Sequence, residues 1–172
     1  MGVIRYTVEG ASSRVRVVAR SSIHDIEAAL GPITGTIEAD LDDLADHGAV
    51  ALSLEVDLTE ADGGDPLRTR KLRGDIDVRR YPRASFSLSR VVSIARDDAG
   101  AFEAQGAGVL SWRDQQLEIE PSGRGTLTAD HLAAVATFRL DIREFGVKPP
   151  KFLMLKVEPE VLVEVTLVAG AQ

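Results

Sequence analysis

Residues 65–88 read DPLRTRKLRGDIDVRRYPRASFSL, and the order of signals in this stretch decides the architecture of the chain. Asp65 is a good N-cap, because its carboxylate can accept from the free amides of a first helical turn. Pro66 suits the first helical position, where no amide donor is needed. Gly74 offers a left-handed residue that ends the helix after about two turns. Tyr81-Pro82 then leads into Ala84, Phe86, Leu88, Arg90 and Val92, spaced by two as in a strand. A short helix thus interrupts a chain that alternates on both sides of it.

Toward the N-terminus, Val50, Leu52, Leu54, Val56 and Leu58 form the cleanest alternation. Before a polar connection at 42–48, Ile33, Gly35, Ile37, Ala39 and Leu41 alternate as well, with Gly35 a natural place for sharp curvature. Ser22–Leu30 has Ile23, Ile26 and Leu30 at helical spacing, so a second short helix or a loop is expected, ended by Gly31-Pro32. Ser13–Arg20 places Val15, Val17 and Ala19 on one face and Arg14, Arg16 and Arg20 on the other, and Val3–Val8 is a first strand.

Toward the C-terminus, Asp97-Asp98-Ala99-Gly100 is a hairpin turn. It leads into Phe102, Ala104, Gly106, Gly108 and Leu110, a strand with small residues at its middle. Trp112–Glu120 is a weaker strand, Pro121-Ser122-Gly123 a turn, and Gly125–Asp130 a short strand or loop. Ala133–Ile142 is a longer strand. Phe145–Pro150 breaks regular structure. Val157–Val168 alternates throughout, with Pro159 suggesting a strand end or edge.

The 172 residues are most simply one domain, with no fixed-period repeat and no low-complexity linker. About eight alternating strands call for a sandwich or a closed barrel. A net charge of -7 argues against nucleic-acid binding, and no window approaches a membrane span. The chain has no Cys, and its first residues lack the apolar run of a signal peptide. A cytoplasmic protein is therefore expected, or a periplasmic one if residue 1 is a processed terminus.

Four passages together resemble the YceI-like family, over nearly the whole length: Ile33-Thr34-Gly35-Thr36-Ile37, the Leu52–Leu58 strand, Arg80–Phe86 after the helix, and Arg143-Glu144-Phe145-Gly146-Val147 before the last strand. The chain departs from that family at Lys71-Leu72, where a His-Leu pair is common, and at Ser111–Gln115, where the family is rich in Gly and Thr. The resemblance implies an all-β, eight-stranded antiparallel lipocalin-like barrel with one or two short helices. It also implies a polyisoprenoid or related lipid ligand, its tail along the barrel axis and its head at the mouth.

Candidates for the tail site are Val15, Val17, Ile37, Leu52, Leu54, Val56, Phe86, Leu88, Phe138, Leu140, Val161 and Val163. Burying roughly 300 Å² of tail contributes on the order of 7 kcal/mol, part of it offset by ordering the tail. The competing reading is a core that fills itself. Candidates for head-group contacts are Arg68, Arg70, Lys71 and Arg73, since arginine pairs well with phosphate or carboxylate. Here the alternatives are a solvated helix face balanced by Asp65, Asp75 and Asp77, or a basic docking segment at 68–83 for a protein partner. Lys148–Lys156 (KPPKFLMLK) has three readings: a flap over the mouth, a homodimer contact, or the buried start of the last strand.

Enzyme readings find little support. His24, His47 and His131 lie far apart, no spacing suggests metal ligands, and no nucleophile elbow or phosphate loop is present. No cofactor is expected. Glu158, Glu160 and Glu164 share the strand face opposite the valines. A non-enzymatic lipid-binding barrel is the reading carried forward.

Overall fold

The computed structural model describes residues 2–44, 50–149, 151–152 and 155–172, with backbone alone at 151, 152 and 155. Its strands are β1 (Ile4–Val8), β2 (Arg14–Ser21), β3 (Ile26–Leu30), β4 (Ile33–Ala39), β5 (Val50–Asp57), β6 (Arg83–Arg96), β7 (Ala101–Trp112), β8 (Gln115–Ile119), β9 (Ser122–Leu127), β10 (His131–Asp141), β11 (Lys151–Phe152) and β12 (Leu155–Ala171). A helix α1 (Pro66–Asp75) lies between β5 and β6, and single 3₁₀ turns occupy Gly10–Ser12 and Ile142–Phe145.

The hydrogen-bonded order β1-β4-β5-β6-β7-β9-β10-β12 returns from β12 to β1, with every neighbouring pair antiparallel. This closed ring of eight is the predicted barrel. The other strands lengthen its walls. β2 continues the position of β1 along β12 and carries β3 on its far edge, while β8 continues the position of β9 along β7.

Local expectations are corrected at several points, among them the Pro121-Ser122-Gly123 turn, whose Ser122 and Gly123 belong to β9. Ser22–Leu30 holds no helix: Ile26–Leu30 is β3, paired in register with Val15–Ala19. The stretch IEAAL has period two as well as its helical spacing, and the partner strand decides between them. Gly74 does not end α1, which runs on to Asp75; the left-handed residue is Asp77, at φ 54°. The Val78 amide donates to the Arg73 carbonyl and the Asp77 amide to that of Gly74, both at 3.1 Å, which is a Schellman closure with aspartate in the position glycine usually takes. At the start of the helix the Asp65 carboxylate accepts from the Arg68 amide at 2.8 Å, as the N-cap reading requires.

The phase of β6 also differs from the even alternation. Its pairing with β7 shifts between Leu88 and Arg90 and again between Val91 and Ser93, so Val92 faces outward and is exposed. Each bulge adds a residue and turns the strand on its axis. Finally, Trp112–Glu120 is not one strand. Arg113 and Asp114, at φ 51° and 59°, form the two-residue turn joining β7 to β8, with the positive angles at both centres that a type I′ hairpin needs. Pro159 sits inside β12 at the interruption between Val157 and Val161 in its pairing with β2, a bulge site that tolerates the missing amide.

One end of the barrel is sealed. Tyr6 and Ala39 are fully buried there, with Leu44, Leu127 and Leu132 nearly so. The Tyr6 hydroxyl donates to the Thr128 carbonyl at 2.6 Å, joining β1 to the β9–β10 turn. Burial pushes the Tyr6 phenol above its ordinary 10.0, with the Arg96 cation opposing and Asp130 adding to the rise. A raised folded pKa means that the stabilisation is complete below the unfolded value and is lost as pH climbs through the folded one. Alkaline urea unfolding therefore finds the wild type weakening above about pH 10 by more than Tyr6→Phe does. At neutral pH, Tyr6→Phe costs about 1 kcal/mol for the lost bond.

Candidate functional site

The inner faces of the ring enclose a cavity of about 440 Å³. All twelve of the predicted tail-site residues line it. Alternation brings them there: Val15 and Val17 on β2, Leu52, Leu54 and Val56 on β5, and Val161 and Val163 on β12 are spaced by two within each strand and so share its inner face. The sequence reading missed Ile26, Ala28 and Leu30 of β3, whose strand went unrecognised, and Val91 and Ile94, which the bulges of β6 rotate inward.

Small residues create the space. Ala104 and Gly106 on β7, Gly123 on β9, and Ala134 and Ala136 on β10 line one side of the cavity. Gly108 plays a different part. A Cβ there would lie 2.4 Å from the Ser87 carbonyl oxygen and 2.5 Å from the Phe86 ring, so the bare backbone seats that ring.

α1 joins β5 to β6 at the end opposite Tyr6, and Arg68, Lys71, Leu72, Asp75 and Ile76 line the cavity there. The four head-group candidates therefore separate. Arg68 and Lys71 reach the cavity wall, each beside a carboxylate: Arg68 Nε lies 3.5 Å from Asp65 and Lys71 Nζ 3.2 Å from Asp75. Arg70 is exposed and does not line the cavity. Arg73 is also outside it, and its Nε donates to the Ala61 carbonyl at 2.9 Å, tying α1 to the chain that precedes it.

The helix has no buried residue of its own, so its position depends on clamps. One is Arg113, unsignalled by any motif. Its Nη1 donates to the Ile76 carbonyl at 3.0 Å and its Nε to the Phe145 carbonyl at 2.9 Å. Its guanidinium lies 4.7 Å from the Tyr81 ring centre and 5.5 Å from that of Trp112. One cation thus fastens the end of α1, the Tyr81-Pro82 strand entry and the 3₁₀ turn before Gly146. Trp112 packs against Phe145 at 5.5 Å and lines the cavity, while its buried Nε1 has no hydrogen-bond partner among the described residues.

Glu158, expected on the outer face, lines the cavity instead, beside the pairing interruption at Pro159. The other described candidates do not line it. Glu164 is 4.0 Å from Arg16, and Glu160 is 3.6 Å from Arg139. His24 Nδ1 lies 3.0 Å from the Asp25 carbonyl, and His131 Nδ1 3.2 Å from the Thr128 hydroxyl. His47, Leu153 and Met154 lie outside the described residues, as do the side chains of Phe152 and Leu155. Among the described residues no group of three His, Cys, Asp or Glu could hold a metal, and no helix is long and apolar enough to cross a membrane.

Comparison with known proteins agrees with this architecture. A family model, the YceI-like domain, matches residues 6–169. The crystal structure of Burkholderia cenocepacia BcnA superimposes with a TM-score of 0.76 at 17% identity, over 94% of this chain and 98% of that one. A polyisoprenoid binding domain from Saccharophagus degradans, implicated in plant cell wall breakdown, gives 0.75 at 13% identity, over 97% and 98%. The Campylobacter jejuni YCEI protein gives 0.62 at 12%, over 84% of each chain. No curated protein matches the sequence.

The clamp yields a prediction. Arg113→Ala removes two charge-assisted hydrogen bonds, and is expected to lower stability by about 2 kcal/mol. Trp112 is the single tryptophan, so intrinsic fluorescence reads the same change as a red shift of its emission in the native state.

Proposed function

This chain belongs to the YceI-like family, and from that premise we propose that it binds an isoprenoid or similar long-chain amphiphile within the barrel, as a carrier or store and without chemical conversion. The observation that carries this reading is the 440 Å³ cavity lined by aliphatic side chains on every strand position of the ring. Its volume falls within the range of small-molecule sites. An apolar tail gains there from leaving water and from filling contacts that the empty wall lacks. No directional polar bond is needed along its length, which suits a hydrocarbon and tolerates variation in it.

The head of the amphiphile would lie at the α1 end. Lys71 and Arg68 supply positive charge at the cavity wall, and an anionic or hydrogen-bond-accepting head can share them with Asp75 and Asp65. Both ion pairs are partly exposed, so neither resists exchange strongly. The likeness to the polyisoprenoid binding domain from Saccharophagus degradans supports an isoprenoid in particular.

Native mass spectrometry before and after delipidation tests the proposal directly. A discrete extra mass that fragments as an isoprenoid or fatty chain is expected, and failure to carry or take up any offered amphiphile defeats it. Ala136→Phe makes the second test. Its ring enters the cavity from β10, so uptake falls while stability holds or rises slightly. In a self-filled core the same substitution overpacks, at a cost of about 1–3 kcal/mol.

A further inference from the structure

The two ends of the barrel differ in charge. At the Tyr6 end the described connections between strands are 40–44, 97–100 and 128–130, and they hold six aspartates and no Lys or Arg. At the α1 end the corresponding described segments are 22–25, 58–82, 113–114, 142–149 and 151–152, with ten Lys or Arg against eight Asp or Glu. Exposed Arg20 and Lys156 flank these last segments. The net charge of -7 is therefore unevenly placed along the axis. A strand of eight residues is about 26 Å long, roughly three Debye lengths at physiological salt. A surface beside one end thus feels little of the other.

The α1 end also exposes apolar side chains. Ile23, in the β2–β3 turn, is 75% exposed, and Leu67, in the first turn of α1, is 66% exposed. They come from neighbouring segments. Ala29 of β3 and Asp62 bridge through two hydrogen bonds of 2.9 Å in antiparallel sense. From that bridge the chain runs back along β3 to Ile23 and forward from Asp62 into α1, in the same direction. Exposed Arg70 stands one turn beyond Leu67. On the other side, the Ser22 amide donates to the Lys156 carbonyl at 3.0 Å, which holds an exposed lysine beside Ile23.

Apolar side chains flanked by cations are what an anionic bilayer surface recognises: the former enter the headgroup layer and the latter meet the phosphates. We propose that the α1 end docks on such a bilayer through Ile23 and Leu67, with Arg20, Arg70 and Lys156 facing the lipid phosphates. The acidic Tyr6 end then points away, and repulsion at that end enforces the orientation. The inference rests on the lumen reading for its purpose, since docking sets the ligand end of the cavity against the source of an amphiphile.

Co-sedimentation with phosphatidylcholine vesicles, with or without phosphatidylglycerol, tests it. Binding is expected to require phosphatidylglycerol and to fall to background at high salt. Ile23→Ser with Leu67→Ser should weaken it roughly tenfold, and Arg70→Glu should reduce its dependence on the anionic lipid. Equal binding to both vesicle types, no binding to either, or wild-type binding by the Ile23/Leu67 double variant overturns the proposal. Uptake of a fluorescent amphiphile without vesicles reads the lumen separately, and is expected to be unchanged in all three substitutions. A wild type that takes up the amphiphile yet binds no vesicle defeats docking alone. One that binds anionic vesicles through Ile23 and Leu67 yet takes up nothing defeats the lumen reading alone.

Discussion

Strand β12 makes hydrogen bonds along both edges, and this double pairing is what turns a sheet into a container. Its seventeen residues meet β10 on one side, and β2 followed by β1 on the other. Without the second edge, the strands would form an open, twisted sheet with unpaired amides at both margins and an apolar face exposed to water. With it, the apolar parity of every strand turns toward one interior. The irregular features serve the same end. The interruption at Pro159 lets β12 bend from one partner alignment to the next, and the two bulges of β6 give the wall the twist that closure requires.

Closure does not by itself leave a cavity, because an eight-stranded ring can fill with its own side chains. The composition of the inner face decides the matter. Valine, leucine and isoleucine reach only part of the way to the axis, and Ala104, Gly106, Gly123, Ala134 and Ala136 barely leave the wall. The aromatic residues that could have filled the space are few, and among the described residues Phe86, Phe102, Trp112 and Phe138 line the cavity without filling it. Tyr6 helps seal one end, Trp112 and Phe145 pack together near the other, and Phe86 folds onto Gly108. The helix over the second end is held by side-chain bonds rather than by a buried apolar face, so that end is built differently from the wall.

Period-two alternation made most of this architecture legible from the sequence, and the cavity wall with it. Val161, Val163, Leu52, Leu54 and Val56 are assigned by parity alone, since in a closed ring one parity has nowhere else to point. What was hidden depends on partners. IEAAL carries helical and strand periods together, and becomes β3 because β2 pairs with it. Arg90 and Val92 keep a regular spacing in the sequence while the bulges turn them outward. Arg113 and Asp114 take positive φ without a glycine to announce it, and so does Asp77 at the end of α1. The basic cluster on α1 was legible only as a cluster: Arg68, Arg70, Lys71 and Arg73 stand close together in one dimension, but that Arg68 and Lys71 line the cavity while Arg70 and Arg73 do not depends on where the helix sits. Arg113 carries no local signal, because its partners Ile76, Tyr81 and Phe145 are distant in the chain.

The seal formed by Tyr6 and Ala39 has a consequence for traffic. A tube open at both ends can be loaded at one and emptied at the other, and an incoming molecule can push its predecessor out. A sack cannot work in that way. On the proposed carrier reading, a ligand that enters past α1 backs out along the same path, tail last, and a competitor waits for vacancy rather than creating it. On that same reading release belongs to the receiver: a molecule that grips the emerging head and draws the chain out would set the direction of flow.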